Sequence, residues 1–134
     1  MKNRLIAIIL SLLTVFSVCM ICAYADIQEF ASILPAHSGE GTIVIGKKTE
    51  SKSYQNGALS LSASPSGREV QVHVYNVTRG NDATGGGWVD VIVGGNTTIP
   101  YTRSVNTNEV LELHGRCTNG GFYRTTVRGS MNFR

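Results

Sequence analysis

Val70-Gln71-Val72-His73-Val74-Tyr75 decides the fold of this chain, because three valines alternate with polar or hydroxyl-tipped residues and so give an extended backbone one oily and one wet face. The same period of two runs outward in both directions. Leu59 and Leu61 alternate with Ser60 and Ser62, and Ile43 and Ile45 bracket Val44. Further strands are expected at Trp88 to Val93, Thr98 to Arg103, Val110 to Cys117 and Phe122 to Phe133. Helical spacing is scarce, and the one short helical turn the pattern suggests lies around Ile27 to Leu34, where Pro35 would end it.

Turn residues fall between these runs. Asn56-Gly57, Ser64-Pro65-Ser66-Gly67, Gly94-Gly95-Asn96 and Asn119-Gly120 supply the positive φ that tight reversals need. The Asn119-Gly120 pair predicts a hairpin that sets Leu111 and Leu113 on one arm against Tyr123 and Val127 on the other. About eight short strands at this spacing predict an all-β chain folded as a single small β-sandwich, with a small β-barrel as the alternative. Thr98 to Arg103 is expected at a sheet edge because Pro100 has no backbone donor.

Ahead of the strands, Lys2 and Arg4, an apolar run from Leu5 to Cys22 and Ala23-Tyr24-Ala25 have the layout of a secretory signal peptide, with cleavage expected between Ala25 and Asp26. An uncleaved membrane anchor is the rival reading of the same run. The expected organisation is therefore a leader over 1–25 and one all-β domain over 26–134 of a 134-residue chain. Such a protein is expected to be secreted and extracellular, and the plan looks like that of many small secreted bacterial proteins. Its expected partner is an extracellular glycan or protein.

Lys2 and Arg4 account for most of the +3 formal charge, so the remainder is nearly balanced and predicts no attraction to nucleic acid and no stable membrane insertion. Arg116, Arg124 and Arg128 follow one another late in the chain as a candidate anion-binding stripe, beyond the last carboxylate, Glu112. Once the leader with Cys19 and Cys22 is removed, Cys117 stands alone and the domain has to fold without an intrachain disulfide. The expected place of Cys117 is in the core.

The longest stretch without strand character, Arg79 to Gly87 (RGNDATGGG), is where a ligand site is expected, with Asn81 and Asp82 offering oxygens and Trp88, Tyr75 and Tyr101 offering rings. A calcium site in this loop has only a single G-N-D match behind it and no repeat. His73, Glu112 and His114 would converge on a metal only if their strands were neighbours, and no close-spaced histidine motif requires that. No catalytic elbow, dinucleotide loop or phosphate loop is present, so no cofactor, no metal and no catalytic residue is assigned. The expected function is a non-catalytic binding or surface-interaction module. The alternative is a secreted antagonistic effector, either antimicrobial or inhibiting another secreted enzyme. Asn76-Val77-Thr78 and Asn96-Thr97-Thr98 match the glycosylation triplet and are read as unmodified.

Overall fold

A computed structural model describes residues 27–49, 56–63, 69–119 and 124–134. The leader, its cleavage position, the Ser64–Gly67 turn, Tyr123 and the Gly120 half of the expected hairpin turn lie outside the described residues.

Nine strands follow one another along the described chain: β1 (Ile27–Leu34), β2 (Gly41–Lys47), β3 (Asn56–Ala63), β4 (Val70–Asn76), β5 (Asn81–Asp82), β6 (Val89–Asp90), β7 (Asn96–Pro100), β8 (Val110–Cys117) and β9 (Thr125–Asn132). They form two antiparallel sheets, one in the order β1-β9-β3-β7 and the other in the order β2-β8-β4-β5, with β6 also on β4. Successive long strands alternate between the sheets. This is the jelly-roll order, a two-layer β-sandwich. The edge strands β1 and β2 meet through the Ser32 hydroxyl, which donates to the Thr42 carbonyl at 3.2 Å, but no ladder closes the seam into a barrel.

Alternation in the sequence becomes burial in the structure. Val70, Val72 and Val74 of β4 and Leu111, Leu113 and Cys117 of β8 point inward, and Leu59, Leu61, Ile99, Val127, Met131 and Phe133 meet them from the other sheet in a single core. β7 lies at the edge of its sheet, where Pro100 costs no ladder bond.

Four expectations change. Ile27 to Leu34 is a full strand paired along its length with β9, because the apolar residues that resemble a helical stripe are drawn into a sheet by a complementary partner. Asn56-Gly57 is no turn but the start of β3, and Gly57 is buried where a Cβ would collide with Met131 and the Tyr101 hydroxyl. Trp88 to Val93 yields only the two-residue β6 at the outer margin of β4, since the chain leaves the sheet after Val91 and turns at Gly94, whose φ is 79°. The β8–β9 hairpin does not form. β8 and β9 belong to opposite sheets, so Leu111, Leu113 and Val127 share the core from its two sides rather than facing along one ladder.

Candidate functional site

With the valines of β4 and the leucines of β8 turned inward, the residues between them must turn outward. β4 and β8 pair in a register that sets Gln71 opposite Arg116, His73 opposite His114 and Tyr75 opposite Glu112. Six polar or aromatic side chains thereby share the outer face of the five-stranded sheet. Glu40 enters this face from the turn before β2, and Asp82 enters it from β5, where it is paired with Tyr75. The segment between β5 and β6 carries Trp88 over the same face.

A chain of hydrogen bonds links five of these groups. Asp82 Oδ2 lies 2.9 Å from His73 Nδ1, His73 Nε2 lies 3.0 Å from Glu40 Oε1, the same Glu40 oxygen lies 2.5 Å from His114 Nδ1, and His114 Nε2 lies 2.9 Å from Glu112 Oε2. Each imidazole therefore stands between two carboxylates. The side chains of His73 and His114 are 11% and 19% exposed, whereas that of Glu40 is 46% exposed, so the open side of the cluster is the Glu40 side. Glu40, His73 and His114 each offer a ligand atom, and these atoms all lie within 4.8 Å of one another.

Protonation follows from these partners. Hydrogen bonds from His114 and His73 hold the Glu40 carboxyl below its ordinary value against a smaller opposing effect of burial. Burial disfavours the charged form of His114, but its bonds to Glu112 and Glu40 outweigh that and raise its pKa. Burial likewise opposes ionisation of Asp82, and the Thr84 hydroxyl and amide together with the His73 charge overcome it, leaving its pKa lowered. Thr84 donates to Asp82 Oδ1 from its amide at 2.8 Å and from its hydroxyl at 2.6 Å, which fixes the carboxylate toward His73.

Trp88 is half-buried. Its ring meets His73 edge-on with centroids 4.5 Å apart, and the Arg116 guanidinium sits 4.1 Å from its centroid. Arg116 is itself held by Gln71 Oε1 at 2.9 Å and 3.2 Å, and Gln71 donates to Asp90 at 2.8 Å. The indole is thus a packed flank of the cluster, its edge on His73 and its face on Arg116. Tyr75 lies on the other flank, its ring 6.1 Å from that of His114.

Of the remaining expected site residues, Asn81 pairs with Asn76 and so takes the opposite side of β5 from Asp82. Tyr101 is buried and donates to the Phe133 carbonyl at 3.1 Å, which removes it from any surface. The arginine stripe does not exist: Arg116 faces outward from β8 in one sheet and Arg128 outward from β9 in the other, so they lie on opposite sides of the sandwich, with the exposed Arg124 ahead of β9. Arg128 instead lines a shallow groove of about 580 Å³ with Glu29, Phe30, Ser60 and Ser130. Glu40 is the residue that sequence reading misses. It sits between Gly39 and Gly41 with no patterned neighbour, and only the pairing of β2 with β8 brings it to the histidines.

No protein-family model and no curated protein sequence matches the chain. Among solved structures it is similar to a mitogen from Yersinia pseudotuberculosis, at 11% identity over 82% of this chain and 87% of that one, with a TM-score of 0.47. It is also similar to a structure of infectious bursal disease virus, Gx strain, at 16% identity and a TM-score of 0.40. A third is that of T=1 particles derived from the same virus, at 15% identity and 0.41. Each viral match covers 80% of this chain and about 30% of the viral chain.

Proposed function

We propose that this protein is an exported, non-catalytic binding module that engages an extracellular glycan or protein through the outer face of its five-stranded sheet. The observation that carries this reading is the concentration of Glu40, His73, Tyr75, Trp88, Glu112, His114 and Arg116 on that one face, next to a glycine-rich segment. Side chains already locked by mutual hydrogen bonds lose little freedom on binding, which favours recognition. Support for a non-catalytic role comes from the inward placement of Cys117, which keeps its thiol off this face. The layout of 1–25 supports export. Scattering of the arginines leaves the antagonistic alternative without the basic face that motivates it.

Arrays of bacterial and host glycans and of surface proteins, probed with the purified protein, test this reading. Binding is expected to be lost on replacing Gln71 and Arg116 by Ala and kept on Arg128→Ser, which alters the opposite face. A folded protein that binds nothing on the arrays, or that loses binding only on Arg128→Ser, overturns it.

A further inference from the structure

We propose that Glu40, His73 and His114 form a binding site for a divalent transition-metal ion, zinc above all, with His73 bound through Nε2, His114 through Nδ1 and the remaining position open to solvent. This rests on the reading of the outer sheet face as the functional one, and it is tested on the protein alone.

Two imidazoles and one carboxylate suit zinc, and three protein ligands with an open position are the arrangement of sites that bind a further molecule at the metal. Orientation is the stronger argument. A ligating histidine needs its second nitrogen held by an acceptor that fixes the tautomer, and here both have one: Asp82 on His73 Nδ1 and Glu112 on His114 Nε2, each at 2.9 Å. The remaining nitrogens are the two that converge on Glu40 Oε1. Asp82 is in turn fixed by Thr84.

The three ligand atoms, which lie within 4.8 Å of one another, all have to settle at the spacing set by one ion. Tetrahedral zinc with bonds of about 2.0–2.1 Å spaces its ligand atoms by roughly 3.3 Å, so the present 3.0 Å and 2.5 Å contacts to Glu40 must lengthen by less than about 1 Å. The histidines sit on paired strands and are clamped from behind. Glu40, on the turn before β2 and nearly half exposed, is the ligand able to retreat.

Calorimetric titration of the metal-stripped full chain with ZnCl₂ tests the site, with CoCl₂ as a spectroscopic probe and imidazole nitrogen NMR as the assignment. The expected result is one Zn²⁺ per chain, a visible cobalt band of tetrahedral intensity, and shifts of coordination size at His73 Nε2 and His114 Nδ1. His73→Ala and His114→Ala should abolish binding, and Asp82→Asn, which keeps all three ligands, should weaken it about tenfold or more. His37→Ala should change nothing. Circular dichroism shows which variants fold, and the nitrogen shifts of the unaltered protein need no variant. Absence of zinc and cobalt binding, shifts at the other ring nitrogens, or binding that survives in folded His73→Ala because Cys19 and Cys22 hold the metal would overturn the proposal. Failure here leaves the array experiment standing.

Discussion

His73 and His114 are direct register partners on β4 and β8, their ring centroids 5.1 Å apart, and both aim one nitrogen at a single oxygen of Glu40. Cross-strand partners on one sheet face are rigidly spaced, so the ladder holds the two imidazoles side by side, and Glu40 reaches them from the turn before β2.

Arg116→Ala should loosen Trp88 without unfolding the sandwich. The variant loses the guanidinium stacked on the indole and its two bonds to Gln71, together about 1 kcal/mol of stability at a partly exposed position. Trp88 is the single tryptophan of the chain, so its fluorescence reports the change directly. A red shift of the emission maximum is expected, and an unchanged spectrum would show that Arg116 does not cover the ring.

Tyr101→Phe should leave the outer face intact and weaken the core. The phenol donates to the Phe133 carbonyl from a buried position, and its loss costs about 1 kcal/mol in urea denaturation. Burial also pushes the phenol's ionisation well above its ordinary value, so this tyrosine should not titrate until alkaline unfolding begins.

Sequence made the layers legible but not their neighbours. Alternation around Val72 and Leu113 names the inward residues correctly because burial of one sheet face is a local, period-two property. Strand order is nonlocal. In a jelly roll consecutive strands cross between sheets, so a turn signal that begins at Asn119 follows a strand of one layer and precedes a strand of the other, and reading it as a hairpin pairs β8 with the wrong partner. His73, His114, Asp82, Trp88 and Tyr75 were visible as separate candidates. Their meeting, and the part taken by Glu40, depend on β2, β8, β4 and β5 being neighbours, which no local pattern encodes.

Gly129→Ala should be strongly destabilising. On β9, between β1 and β3, an added Cβ would fall on the Ser60 carbonyl oxygen and crowd the Phe30 ring at 3.0 Å and the Leu61 backbone at 3.1 Å. Backbone on a neighbouring strand cannot step aside as a side-chain tip can, so a loss of about 2–3 kcal/mol is expected in thermal or chemical denaturation. Gly87→Ala provides the contrast: its Cβ would make an ordinary 3.6 Å contact, and a change within about 0.5 kcal/mol is expected.

Cys117 is 1% exposed on the inner face of β8. A bulky disulfide reagent should therefore modify it only after unfolding, at a rate that rises with denaturant. Rapid labelling of the native protein would mean that the end of β8 opens, and only then could Cys117 link two copies.

Glu109 should set part of the acid limb of stability. This buried carboxylate accepts from Asn76 Nδ2 at 2.7 Å, from the Asn106 amide at 2.9 Å and from Arg79 Nε at 2.5 Å, tying the end of β4 to the loop before β8. The same bond occupies Asn76, which is fully buried and so closed to glycosylation in the folded chain. Burial acts to raise the pKa of Glu109, but the Asn106, Arg79 and Asn76 donors prevail and lower it. A carboxyl whose folded pKa lies below its unfolded value, about 4.3 for glutamate, stabilises the fold above that value and ceases to do so as pH falls through the folded pKa. Glu109→Ala, which strands Arg79 and Asn76, is expected to cost about 3 kcal/mol at neutral pH. Glu109→Gln cannot titrate, so its stability should fall less steeply than that of the wild type on acidification below about pH 4. Glu40 and Asp82, also lowered, remain in that variant and keep the acid limb from vanishing altogether. Denaturation midpoints measured at a series of pH values check the slope, and parallel curves for the two proteins would remove Glu109 from the account of acid stability.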